Sequence, residues 1–179
     1  GERVCISGAA GGVGTAAVQL AASAGAIVVA TVRRAELRAE VETLGPGVTA
    51  IDPATIRDHG PYDVILELIG GPNLADDVAC LATCGRIAVI GVGAGANAEL
   101  NLLALMGARG QITASTLRTR PLEAKADAAR RVERHVLPLV ERGAIRVPVL
   151  ATYALSAAGD AYARFAGGAK LGKIVLTSS

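Results

Sequence analysis

A chain of 179 residues, 51% of them hydrophobic and 19% charged, can bury one full core and lacks the composition of a disordered segment. Aromatics reach only 2%, so aliphatic side chains must fill that core; a net charge of +2 with dispersed bases argues against a nucleic-acid partner. No apolar run is long and charge-free enough to span a bilayer, and Gly1-Glu2-Arg3-Val4 has no signal-peptide anatomy, so the expected setting is cytoplasmic with no membrane partner.

Short apolar runs alternate with helical stretches along the chain. Residues 3–7 read as a first strand, 13–23 as an Ala-rich helix and 26–32 as a second strand. A helix over 35–44 is stopped by Gly45-Pro46-Gly47, and 48–51 is a short third strand. Residues 62–68 form a fourth strand, closed by Gly70-Gly71-Pro72, with Asn73 expected to cap the next helix. A fifth strand, 85–90, runs into Gly91-Val92-Gly93-Ala94-Gly95; a short helix near 100–106 and a sixth strand over 111–115 follow. A long helix is expected over 121–142, with Pro121 in its first turn, Pro138 bending it, and Val132, Val136, Leu139 and Val140 as its buried stripe.

This alternation, with right-handed crossovers, predicts an α/β fold: a Rossmann-type, doubly wound parallel sheet of six strands in the order 3-2-1-4-5-6. Residues 147–153, 157–165 and 173–177 then read as a strand, a helix and a strand beyond a sheet that is already complete. The expected division is a dinucleotide-binding unit over 1–146 and a C-terminal segment over 147–179.

The turn Gly8-Ala9-Ala10-Gly11-Gly12-Val13-Gly14 lies between the first strand and the first helix. A pyrophosphate needs that arrangement: glycines let the backbone approach, and the unpaired N–H groups of a helix start attract the anion. Gly11 and Gly14 fill the second and third glycine places of G-x-G-x-x-G, while Ala9 stands at the first. A purely structural turn is the alternative, and the strand–turn–helix context weighs against it.

The end of the second strand chooses between cofactors. An Asp or Glu there would bind the ribose diol of NAD, but the sequence has Thr31-Val32-Arg33-Arg34, with Arg38 a helical turn on. Guanidinium groups without a carboxylate suit the 2′-phosphate of NADPH. The strand ends Leu68-Ile69 and Gly91-Val92 should line the same crevice. The candidate cofactor residues are therefore Ala10, Gly11, Gly12, Val13, Gly14, Arg33, Arg34, Arg38, Leu68, Ile69, Gly91 and Val92.

No catalytic residue and no metal site is expected in the chain. His59 reads as a loop histidine and His135 as a helix-face one. Ser115 and Thr116 have no obvious base. Cys5, Cys80 and Cys84 carry neither a disulfide framework nor a zinc spacing; they read as core or near-surface thiols.

Taken in order, Gly1 to Val4, the turn at 8–14, Ala17-Val18-Gln19-Leu20-Ala21, the run 63–71, Gly85-Arg86-Ile87-Ala88-Val89-Ile90-Gly91, Ser115 to Arg120 and Gly172-Lys173-Ile174-Val175-Leu176 resemble the zinc-independent quinone oxidoreductases of the medium-chain dehydrogenase/reductase superfamily. The resemblance covers essentially the whole chain. It implies hydride transfer from NADPH to a quinone, an alkenal or an enoyl thioester. It also implies a preceding barrel-like catalytic domain, with which 147–153 and 173–177 would pair. Gly11, Gly12 and Val13 would face the pyrophosphate, and Gly91 and Val92 the nicotinamide ribose. Many relatives carry a Lys for the 2′-phosphate at the place of Leu37; here Arg33, Arg34 and Arg38 would substitute. A homodimer through 111–115 is a further implication. An enoyl reductase unit of a polyketide or fatty-acid synthase is the alternative, and a non-catalytic NADPH-binding protein a third reading.

Overall fold

Short, largely aliphatic runs of four to nine residues fold as strands, and the central ones, Arg3–Ile6, Ile27–Thr31 and Tyr62–Glu67, are the most buried. The computed structural model describes residues 1–168 and 170–178. In chain order the elements are β1 (Arg3–Ile6), α1 (Gly12–Ser23), β2 (Ile27–Thr31), α2 (Arg38–Glu42), β3 (Val48–Ile51), β4 (Tyr62–Glu67), α3 (Gly71–Ala79), β5 (Leu81–Val89), α4 (Leu102–Gly107), β6 (Gln111–Ala114), α5 (Leu122–His135), α6 (Leu137–Glu141), β7 (Val149–Ala154), α7 (Ala158–Ala166) and β8 (Lys173–Thr177).

Strands β3-β2-β1-β4-β5-β6 form one parallel sheet in that order, as expected. Alternation along each strand sends neighbours to opposite faces. Cys5, Val29, Ile65 and Ile87 pack with Leu74, Val78 and Leu81 on one face. Ile6, Val28 and Ala30 pack with Val18, Ala22, Val41 and Leu44 on the other. The order reverses between β1 and β4, so the crevice of a doubly wound sheet opens above their carboxyl ends.

Several local expectations are corrected. The helix expected over 35–44 starts as a 3-10 turn, Ala35–Leu37, before the short α2. The fifth strand starts at Leu81, opposite Tyr62, and its register with β4 shifts between Tyr62 and Val64. Cys84 in this stretch has φ 61°. Asn73 does not cap α3, which starts two residues earlier; its amide donates instead to Glu67 Oε2 at 3.1 Å.

The long helix over 121–142 is two helices. Pro121 stands just outside α5, and the break falls at Val136, where Pro138, early in α6, has no N–H to continue the ladder. Its proposed buried stripe is not buried: Val132 and Val140 are exposed, and Val136 and Leu139 only half-buried. Apolar spacing defines a face, but nothing in the spacing supplies a surface to cover it, and the nearest large neighbour of α5 is α6 itself.

Beyond the main sheet, β7 and β8 pair with each other in parallel. This tail is anchored to the sheet body. Gln19 Nε2 donates to the Arg146 carbonyl at 2.8 Å and Gln19 Oε1 accepts from the Arg146 N–H at 2.9 Å. Leu171 is buried among the residues packed on α1.

Candidate functional site

The turn after β1 wraps the start of α1. Gly8 takes φ 65°, a conformation that side chains rarely adopt. Its N–H donates to Thr31 Oγ1 at 3.3 Å and its carbonyl accepts from the Gly11 N–H at 3.0 Å. A β-carbon on Gly14 would fall 2.6 Å from the Ala9 Cα, so this glycine serves the contact of helix on strand. Gly11 is the cap of α1 and has no side-chain cap; a β-carbon there would meet only the Gly8 carbonyl, at 3.3 Å. The first N–H groups of α1 are thus left for a ligand.

Beside this turn lies a cavity of about 470 Å³. Gly8, Ala10 and Gly11 form one wall, Leu68, Ile69 and Asn73 another, and Thr31, Arg33, Arg34 and Leu37 a third. Of the candidate residues, the fold brings Ala10, Gly11, Arg33, Arg34, Leu68 and Ile69 to this one place. Arg38 stands apart: its Nε donates to the Val32 carbonyl at 3.0 Å and its Nη2 to Asp52 Oδ2 at 2.5 Å. Val13 and Val92 are exposed rather than part of the wall. Gly91 backs the wall, because a β-carbon there would collide with Leu68 backbone. Gly12 faces the tail: a β-carbon on it would run into Lys173 Nζ.

The field at the cavity mouth is positive. Arg33 forms no ion pair among the described residues, Arg34 has a weak pair with Glu36 at 3.5 Å, and Lys170 joins them from the tail. Lys170 Nζ donates to the Phe165 carbonyl at 2.7 Å and sits over the Phe165 ring; partial burial lowers its pKa below the usual lysine value. The Asp52 carboxyl lies below its ordinary range, held there by the Ala54 N–H and then by Arg38. Asp52 is therefore already occupied by its own neighbours.

Sequence reasoning missed Lys170 and Lys173, since both follow α7, far along the chain from the turn they approach. It also missed Glu67, which is fully buried at the end of β4 and accepts from the N–H groups of Ile69 and Gly70 (2.7 Å for Gly70). A carboxylate closing the apolar run Val64-Ile65-Leu66 was the available signal.

His59 and His135 stay outside the cavity walls. Among the described residues no group of three or more His, Cys, Asp or Glu is placed to hold a metal, and no helix is long and apolar enough to cross a membrane.

A reversed strand order, a glycine turn against a helix start and a cationic cavity mouth define a dinucleotide-binding α/β unit. Residues 46–176 match the family model described as zinc-binding dehydrogenase, and the chain belongs to that family, within the medium-chain dehydrogenases and reductases. It is 31% identical over 192 residues to the highly reducing polyketide synthase easB of Emericella nidulans, covering 99% of this chain and 7% of the relative. Among solved structures it resembles a thermostable alcohol dehydrogenase from Pyrobaculum aerophilum (TM-score 0.81, 27% identity, 99% of this chain and 50% of the other). It shares its fold with the crotonyl-CoA carboxylase/reductase AntE, solved in complex with NADP (TM-score 0.81, 22% identity, 98% of this chain and 49% of the other). The chain thus spans about half the length of these solved structures and a small part of the synthase.

Proposed function

We propose that this chain is the NADPH-binding part of a reductase that passes hydride to an α,β-unsaturated carbonyl compound, with an enoyl thioester as the favoured substrate class. The observation that carries the reading is Arg33 and Arg34 standing together at the mouth of the cavity, at the strand end where an NAD-binding unit would place a carboxylate. The cofactor fits what is there. Gly11 opens the helix start to the pyrophosphate, and the two arginines with Lys170 suit a 2′-phosphate. Leu37, Pro53 and Ile69 offer apolar walls to the adenine. Gly91 and Val92, just after β5, would meet the nicotinamide ribose, as the shared motifs imply.

When bound, the cofactor supplies the hydride; this chain's residues bind it, orient it and screen it from water. The enoyl thioester is preferred because polyketide synthases recur among the curated relatives, easB being named highly reducing, and because AntE is named for crotonyl-CoA. A quinone is the second reading, supported by the run of motifs shared with quinone oxidoreductases. The residues over 1–146, joined by Lys170, bind the cofactor, and the rest of 147–179 meets the substrate-binding part of the whole protein. The exposed edge strand β6 pairs two copies in a homodimer.

Steady-state assays of the full-length protein with NADPH decide the substrate. Oxidation with a crotonyl thioester and little with a quinone is expected; the reverse order would move the assignment to the quinone. NADPH binding without turnover on either would leave a cofactor-binding protein with no reductase activity.

A further inference from the structure

Two buried carboxyl groups are neighbours in the interior: Glu67 accepts from the Asn73 amide, and Asn73 stands one helical turn before Asp77 on α3. Glu67, at the end of β4, and Asp77, in α3, each have 0% exposure. Glu67 accepts from the Ile69 and Gly70 N–H groups and from the Asn73 amide, all on the segment that lines the cavity. Neither Asp77 oxygen has a donor among the described residues. The other ionisable groups facing the pair cannot neutralise it. Cys5 from β1 and Cys80 after α3 are thiols whose pKa values burial pushes up, Cys80 to about 12. The Tyr62 hydroxyl, also raised by burial, donates to the Ile56 carbonyl. Asp76 points outward to Arg57, at 2.6 Å, so that guanidinium is engaged elsewhere.

Two neighbouring buried carboxylates, with no cation paired to either among the described residues, cannot both be ionised. Glu67 already accepts three N–H donors while the Asp77 oxygens have none, so the proton of the pair belongs on Asp77, donated to Glu67. Burial and the Glu67 charge push the Asp77 carboxyl up to about 8.

The segment they hold is more than a loop. Gly70 has φ 109°. The Ile69 carbonyl accepts from the Ala94 N–H at 2.9 Å, and the Gly71 N–H donates to the Gly95 carbonyl at 2.8 Å. The turn after β5, with Gly93 and Ala94 in the cavity wall, is therefore tied to the turn after β4.

We propose that Asp77 and Glu67 share one proton and act together as positioning residues for the Leu68–Gly71 wall, so that cofactor affinity falls when the pair loses that proton. Repulsion between two buried carboxylates is relieved by Glu67 swinging off the Ile69 and Gly70 N–H groups, which releases both turns. The inference rests on reading the cavity as the cofactor site.

The test is NADPH titration of the full-length protein from pH 7 to 9.5, with Asp77→Asn and Glu67→Gln alongside. The Asn keeps a donor toward Glu67 and has nothing to ionise; the Gln accepts at the loop and donates toward Asp77. Wild-type affinity is expected to fall about tenfold across the range, the scale of one lost charge-assisted hydrogen bond, while Asp77→Asn varies by no more than about twofold. A flat wild-type profile, or the same fall in Asp77→Asn, overturns the proposal. Carboxyl ¹³C titration gives a readout independent of the cofactor. An Asp signal should titrate near 8, vanish in Asp77→Asn and move to lower pH in Glu67→Gln; its absence overturns the shared proton. If NADPH binds at no pH while that signal is present, it is the cofactor reading that fails.

Discussion

Arg38 Nη2 meets Asp52 Oδ2 at 2.5 Å while its Nε holds the Val32 carbonyl, so this guanidinium joins the end of β2 to the turn after β3. Of the candidate arginines it is the one held by two close bonds, while Arg34 has only its weak pair with Glu36 at 3.5 Å. Arg38→Ala is therefore expected to lower the melting temperature by roughly 2–5 °C and to leave the ratio of NADPH to NADH affinity within about twofold. Thermal unfolding with paired cofactor titrations checks both halves. A selective loss of NADPH would place Arg38 back at the 2′-phosphate.

The glycines of the turn separate by role. A β-carbon on Gly14 meets the backbone of Ala9, which cannot give way without lifting α1 from β1. Gly14→Ala should cost about 1–3 kcal/mol in urea unfolding. Gly11→Ala meets only one carbonyl at 3.3 Å and should fold nearly as well, yet in the proposed site its methyl group would occupy the approach to the pyrophosphate. An expected loss on the order of tenfold in NADPH affinity, with stability within about 1 kcal/mol, distinguishes it from Gly14→Ala.

The sheet and the turn were legible in the sequence because both are local and periodic. Aliphatic runs alternating with helical stretches predicted six strands in the observed order, with β3 placed to the residue. The strand–turn–helix succession located Gly8 to Gly14. What escaped depends on contacts between distant segments. Lys173 lies over Gly12 although 161 positions separate them. The partners of Arg38 could not be read from charge alone, and the stripe of α5 has the right spacing without a covering surface. The Glu67–Asp77 pair is invisible to pattern reading, since a carboxylate in a strand and another in a helix declare nothing until the two elements pack.

That pair also shapes stability against pH. In the unfolded chain Asp77 titrates near its ordinary 3.8, and in the fold at about 8. Below roughly pH 4 both states hold the proton and the contribution is complete. Between about 4 and 8 only the folded state keeps it, so this contribution declines as pH rises and is gone above about 8. Asp77→Asn removes the dependence, and its urea midpoint relative to wild type should rise steadily between pH 5 and 8.5. Parallel midpoints for the two proteins over that range would contradict a buried, protonated Asp77.

In the proposed site, Arg33 and Arg34 select NADPH over NADH. The most direct measurement is the affinity of the full-length Arg33→Ala/Arg34→Ala protein for NADPH and for NADH, beside the wild type. Loss of the charge-assisted bonds to a 2′-phosphate should weaken NADPH by about 10- to 100-fold and leave NADH within about threefold. Equal loss for the two cofactors, or no loss for either, would contradict the account.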